Sequence, residues 1–259
     1  MAQYIEIEQA IGMPGLRVVL SPGGPGPWSE AAKGILYVKR IPYVKVRQEP
    51  AGENVALLNW TKQTTAPAFV YNNERPRTIW NDQVILAERI APEPALIPSN
   101  IEDRALMFGY SNELCGENGF GWSRRLMMHH VTLTDPKASE EARRRSVFMG
   151  NKYGYAPQIA EAAPARCAEI LRLLANRLET QSARGSRFFV GDRLSALDIY
   201  WAAFAALIQP LPDELCKIPP AFRERYTCKD PQMMAAVTPQ LLAHRDFVYH
   251  EYLELPLDM

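Results

Sequence analysis

The stretch from Leu16 to Gln48 constrains this chain most. It reads "LRVVL", then "SPGGPGPW", then "SEAAKGILYVKR" and, past Pro42, "YVKVRQ". The first and last pieces are short, β-branched and bounded by turn residues, the pattern of buried strands. The middle piece has helical spacing, with Ser29 as its expected N-cap and Glu30 in the first turn, where an acid complements the helix dipole. Two parallel strands need a crossover of this kind, so the expectation is a strand–helix–strand unit with helices packed on the sheet.

The pattern then continues in a second half-unit. "NVALLNWTKQ" suits a short irregular helix, and "APAFVYN" a third strand. "ERPRTIW" follows as an expected fourth strand, joined through the turn residues Asn72 and Asn73. "DQVILAERI" is helical from Asp82 and must stop before Pro92 and Pro94. The Pro-rich "APEPALIPSN" suits a linker. Beyond it strand signals mostly vanish. "IEDRALMFGYSNELC" and the residues after "GENGFG" have helical spacing around a bend. "PARCAEILRLLANRLETQ" is amphipathic, with Pro164 expected near its start, and "LSALDIYWAAFAALI" is apolar around most of its circumference, as a buried central helix would be. The expected architecture is therefore α/β followed by all-α. Residues 1–94, with a core from about residue 15, form a domain with a mixed four-stranded sheet; 95–100 link it to an all-helical domain, 101–259.

Charge and composition narrow the function classes. Lys and Arg together number 29, as do Asp and Glu, so net charge makes no case for nucleic acid or an acidic membrane as partner. No apolar run approaches the roughly 18 residues of a membrane span. The opening "MAQYIEIEQA" carries acids and no apolar core, so no secretory signal is read there and a cytoplasmic protein is expected. Cys115, Cys167, Cys216 and Cys228 show no close pairing and are expected as reduced thiols. His129 and His130 are adjacent and His244 and His250 six apart, so no metal-binding grid is read. In "GGPGPW" a dinucleotide loop would need a third glycine where Ser29 stands, and Pro25 and Pro27 offer no N–H to phosphate, so no nucleotide is expected.

Three motifs carry a resemblance. In "FFVGDRLSALDIYWA", Ser195 and Asp198 have capping-box spacing, with Leu194 and Ile199 placed as the hydrophobic staple. In "TTAPAFV", a proline precedes the third strand. In "IWNDQVILAERI", Asn81 and Asp82 open a helix. With the two-part layout, these make the sequence similar to the glutathione transferases along most of its length from Leu16. The resemblance implies a thioredoxin-like first domain that binds glutathione as co-substrate, a helical second domain, an apolar electrophile as the other substrate, and a homodimer. It implies a cis bond at Pro67, with the backbone of Ala66 pairing the cysteinyl part of glutathione. Asn81 and Asp82 match the positions that hold the γ-glutamyl end, where the family more often has an acid or amide followed by serine; an aspartate there repels that carboxylate.

The turn "SPGGPGPWS" matches the family's thiol-activating turn. Gly26 stands where some classes keep a cysteine or serine, which leaves Ser29 as the hydroxyl nearest the helix start. Ser29 reads as the catalytic residue or as an ordinary N-cap. Trp28 walls the glutathione or electrophile pocket, or packs between domains. Tyr110, Ser111 and Leu114 match the electrophile pocket, or serve as interface core. The function implied is conjugation of the glutathione thiolate to an apolar electrophile. Two alternatives stay open: a non-catalytic ligand- or partner-binding protein of the same fold, and a glutathione-dependent thiol reductase, which would need a cysteine in the turn.

Overall fold

The computed structural model describes residues 3–258. The short helix α1 (Ile7–Ala10) precedes strand β1 (Leu16–Leu20), helix α2 (Pro27–Val38) and strand β2 (Val44–Arg47). Helix α3 (Val55–Thr61), strand β3 (Ala68–Tyr71) and helix α4 (Trp80–Ile90) complete the first domain. The sheet order is β2-β1-β3, with β1 parallel to β2 and antiparallel to β3. All five residues of β1 are buried, as a central strand covered on both faces requires. The N-terminal segment joins this sheet too, because Ile5 bridges Val46 in parallel.

The expected fourth strand is not formed among the described residues. Arg77 alone pairs with Phe69, through N–H to O distances of 2.8 and 2.9 Å. The physical reason is Pro76, which has no N–H to donate and a fixed φ.

Residues 91–100 are packed rather than free. Leu96 and Ile97 are buried, and the carbonyl of Leu96 accepts from the N–H of Ala196 at 2.8 Å. The buried ammonium of Lys39 reaches the carbonyls of Ala91 (2.7 Å) and Pro94 (2.9 Å) and the carboxylate of Glu88 (2.8 Å).

The second part is helical: α5 (Ile101–Cys115), α6 (Phe120–Thr134), α7 (Glu140–Lys152), α8 (Pro157–Ser182), α9 (Ala196–Phe204) with a 3₁₀ turn (Ala205–Leu207), α10 (Pro220–Tyr226), α11 (Pro231–Met234) and α12 (Pro239–Tyr252). Helix α9 is buried at every residue and packs against α2, α5 and α12, so it is the axis of the molecule. Its start is the capping box of Ser195 and Asp198. The fully buried Asp198 carboxylate accepts from the N–H groups of Ser195 (2.8 Å) and Phe189 (3.0 Å) and from the Ser195 hydroxyl (2.7 Å), and lies 3.0 Å from Nε2 of His244.

Two local boundaries differ from expectation. Helix α8 begins at Pro157, so Pro164 lies inside it; the start falls to the earlier proline, whose missing N–H is one the first turn does not use. Helix α2 begins at Pro27 with Gly26 as its N-cap. Ser29 is therefore the third helical residue and does not cap the helix.

Candidate functional site

The turn after β1 is shaped by its glycines. Gly23 has φ of +80°, a left-handed conformation that suits a residue without Cβ. A Cβ at Gly24 would stand 2.8 Å from the Phe222 ring of α10, so that helix closes directly over the turn. The chain then enters α2 with an open first turn. Pro27 brings no N–H, and no side chain caps the helix. The N–H groups of Trp28 and Ser29 are thus left for a ligand, at the positive end of the helix dipole.

These residues face a cavity of about 760 Å³ between the two domains. On the first-domain side it is lined by the turn from Ser21 to Ser29, by Gln48 and the loop after it, and by Thr65 and Ala66. The peptide between Ala66 and Pro67 is cis. The Pro67 carbonyl accepts from the buried side chain of Gln83 at 3.1 Å. Gln48, also buried, accepts from the Ser21 hydroxyl and donates to the carbonyls of Glu49 (2.7 Å) and Thr64 (3.2 Å). Gln48 therefore holds both loops of this wall together.

Trp28 spans the domains. Its indole N–H donates to the carbonyl of Cys115 at 3.0 Å, and its ring meets Phe204 edge-on at 4.9 Å. A Cβ at Gly121 would come within 2.9 Å of Trp28 and 2.4 Å of Phe204. That position stays empty so that α6 can approach both rings.

The second-domain side comes from α6, α7 and α10. Arg125, His129 and Thr132 lie on one face of α6, at spacings of four and three residues. Met149 and Lys152 of α7 and Phe222, Arg225 and Tyr226 of α10 join them. The Arg125 guanidinium donates to the Tyr226 hydroxyl at 2.7 Å and lies 5.0 Å from that ring. Lys152 reaches across to the Thr65 hydroxyl at 2.8 Å. Burial of His129, with Arg225 and Arg125 adding repulsion, pulls its imidazole down to about 3, so it is neutral at physiological pH.

Of the residues expected from sequence, Ser29, Trp28 and Ala66 come together in this cavity, with Pro67 next to it. Asn81 and Asp82 lie outside it. Oδ1 of Asn81 accepts from the Asp82 N–H at 2.7 Å, and the Asp82 carboxylate is held by Arg75 at 3.0 Å. The residues expected at the electrophile pocket, Tyr110, Ser111 and Leu114, also lie outside the cavity lining. Ser111 and Leu114 are fully buried in the core, and Tyr110 packs beneath the Arg177 guanidinium at 6.0 Å. Helix α5 packs against α9, α6 and α8, and the second-domain wall of the cavity comes from α6, α7 and α10 instead. No local motif marked the residues of α6, α7 and α10. Their only signal was a scatter of arginines on helices, which reads as a solvated face until the fold gathers them.

The cysteines take no part in the wall. All four are free and buried. Burial pushes the thiols of Cys167 to about 12 and Cys216 to about 11, and raises Cys115 as well. Among the described residues, no cluster of three or more His, Cys, Asp or Glu is placed to hold a metal ion, and no helix is long and apolar enough to cross a membrane.

No protein-family model matches this chain, and no curated protein does. Solved structures do. A glutathione S-transferase domain-containing protein from Marinobacter aquaeolei VT8 superposes with a TM-score of 0.62 at 16% identity, over 91% of this chain and 98% of its own. A glutathione S-transferase from Methylobacillus flagellatus KT, solved with glutathione bound, gives 0.60 at 12% identity, over 91% and 95%. Glutathione transferase Omega 3C from Trametes versicolor gives 0.57 at 17% identity, over 95% and 89%. Identities this low establish architecture, and the architecture is that of the glutathione transferases.

Proposed function

We propose that this chain is a glutathione transferase that binds glutathione in the interdomain cavity and adds its thiolate to an electrophile seated beside it. The observation that carries the reading is the uncapped first turn of α2, which opens into the same cavity as Ala66. The nucleophile is a thiolate, so the protein's task is to favour ionisation of a thiol. N–H groups at a helix start, with the Ser29 hydroxyl beside them, stabilise that charge where it forms. The protein's own cysteines are buried with raised thiols, so the reacting sulfur comes from the ligand. The Methylobacillus protein of like fold holds glutathione, which supports the same ligand here. In this reading Trp28 and Ala66 contact glutathione and Ser29 is catalytic. Asn81 and Asp82 are left out, because their polar groups are engaged locally.

Ser29→Ala tests the reading. Ser29 does not cap α2, so its loss removes a donor without the usual capping penalty of about 1 kcal/mol. Turnover of 1-chloro-2,4-dinitrobenzene with glutathione should fall roughly 100-fold, with the melting temperature little changed. Turnover equal to wild type would remove Ser29 from the chemistry.

A second reading, ligand binding without turnover, is favoured by Gly26, which places no reactive side chain at the helix cap. Calorimetric binding of glutathione with no conjugation would select it. A thiol reductase role finds no support, because no cysteine lines the cavity. Cytoplasmic residence and pairing into a homodimer belong to the proposal. Four free cysteines support the first, and exposed Ile79, Ile85 and Ile101 offer apolar surface for the second.

A further inference from the structure

The family resemblance leads to an apolar acceptor, but the second-domain wall of the cavity is cationic. Arg125, Arg145, Lys152 and Arg225 face it, against one carboxylate, Glu141. Glu141 lies 3.8 Å from Arg145, with both side chains largely exposed. Among the described residues, Arg125, Lys152 and Arg225 have no carboxylate within 4.0 Å. Lys152 and Arg225 keep exposed surface, yet protein atoms crowd their charged ends, and this desolvation, followed by repulsion from Arg125, disfavours their charged forms; Arg145 adds to the repulsion on Arg225. The chain as a whole has no net charge, so this concentration is local. Such an arrangement lacks a counter-charge.

Two polar atoms set behind this wall are also without a partner. Nε of Arg125 and Nδ1 of His129 are buried with no hydrogen-bond partner among the described residues. His129 is 3% exposed and lines the cavity. The neutral imidazole has a proton to donate on one nitrogen, beside two guanidinium groups. Flat apolar surfaces stand next to these donors: Trp28, Phe222 and the ring of Tyr153, which stacks on His129.

We propose that this wall binds the anionic group of the acceptor, a flat electrophile bearing a carboxylate, with its ring among Trp28, Tyr153 and Phe222 and its carboxylate against Arg125, Arg225 and His129. The assignment of this anion to an acceptor rests on the transferase reading. With 4-chloro-3,5-dinitrobenzoate, the glutathione sulfur would bond to the ring carbon that carries chlorine. The carbon–chlorine bond breaks, chloride leaves with the electron pair, and the thiol proton passes to solvent. The distant carboxylate is unchanged and serves only to hold the ring.

The test has a binding arm and a turnover arm on the full chain. Calorimetry compares 3,5-dinitrobenzoate with 1,3-dinitrobenzene, in the absence of glutathione. The carboxylate should bind at least about tenfold more tightly, and Arg225→Gln should remove most of that advantage, since a charge-assisted hydrogen bond is worth a factor of this order. Arg225 is exposed on α10, and circular dichroism checks that the variant folds. Arg225→Lys should restore part of the preference. In turnover, kcat/KM for 4-chloro-3,5-dinitrobenzoate relative to 1-chloro-2,4-dinitrobenzene, each divided by its uncatalysed rate, should fall about tenfold in Arg225→Gln. Equal binding of the two nitroarenes would overturn the proposal, and so would a preference unchanged in both Arg225→Gln and Arg125→Gln. Displacement of 3,5-dinitrobenzoate by glutathione would overturn it as well, by assigning the cations to the peptide's own carboxylate. Anion binding without conjugation of either electrophile would sink the transferase reading and leave the anion site standing.

Discussion

Lys152 illustrates how position sets the chemistry of a single residue. Lys152 keeps exposed surface, yet protein atoms crowd its ammonium, and this desolvation, followed by repulsion from Arg125, pulls it down to about 8. The neighbouring groups are Thr65 at 2.8 Å from the first domain, Arg125 of α6 and the Tyr153 ring at 5.5 Å. An anion in the cavity favours the charged form, so the bound state has the higher pKa. The contribution of Lys152 to anion affinity is then full below pH 8. It is lost as pH rises from about 8 through the bound-state pKa. Calorimetric titration of 3,5-dinitrobenzoate between pH 6.5 and 9.5 should show affinity falling above about pH 8 in wild type. In Lys152→Met this fall should be absent. The buried His129 does not interfere, because with a pKa of about 3 it stays neutral across the whole range.

Among the elements, α9 depends most on one side chain. The Asp198 carboxylate serves the N–H groups of Ser195 and Phe189 and the Ser195 hydroxyl, and it faces His244 of α12. It thereby starts α9, fixes the loop before it and ties in α12. Asp198→Ala leaves these donors buried and unpaired, so the loss exceeds that of an ordinary helix cap. Urea denaturation should show a destabilisation of about 3–5 kcal/mol. A loss near 1 kcal/mol would mean that the carboxylate acts only as a local cap. Helix α6 has the complementary constraint, since Gly121 must lack a side chain for Trp28 and Phe204 to meet. The wall that carries Arg125 and His129 is held at its distance from α2 by the same glycine.

Across the whole molecule, the C-terminal residues return to the first domain. The ammonium of Lys33 reaches Glu30 at 2.8 Å and also the backbone carbonyl of Asp258, whose carboxylate binds Lys45. The Leu257 N–H donates to the Leu215 carbonyl at 2.7 Å. Lys33 and Glu30 belong to α2, the helix whose first turn opens into the cavity, so the tail braces that helix from its other side. Deleting residues 254–259 should cost about 2 kcal/mol, with each kcal/mol lowering the melting temperature of a chain this size by about 2–4 °C. Calorimetric melting measures the drop, and an unchanged midpoint would show that the tail adds nothing to the fold.

The layout was readable in the sequence because local periodicity carries it. β-Branched runs bounded by Gly and Pro gave β1 and β2, and the spacing of Ser195 and Asp198 gave the start of α9. The fourth strand failed locally, at Pro76, and the cap of α2 moved to Gly26 because Pro27 can begin a helix. The site was readable only on its first-domain side. Trp28 and Ser29 open α2 directly after the Gly-Pro turn, and Ala66 precedes Pro67, so the local composition announces all three. Arg125, His129, Lys152 and Arg225 come from three helices, up to 100 positions apart in the chain, and each alone looks like an ordinary helix residue. The sequence by itself determined the strand–helix–strand unit, the helical second half and the capped central helix, since hydrogen bonding and burial over a few residues dictate them. Only the tertiary structure decided that one wall of the cavity would be cationic and incompletely paired, because the repulsion and burial that define it act between side chains the chain does not place together until it folds.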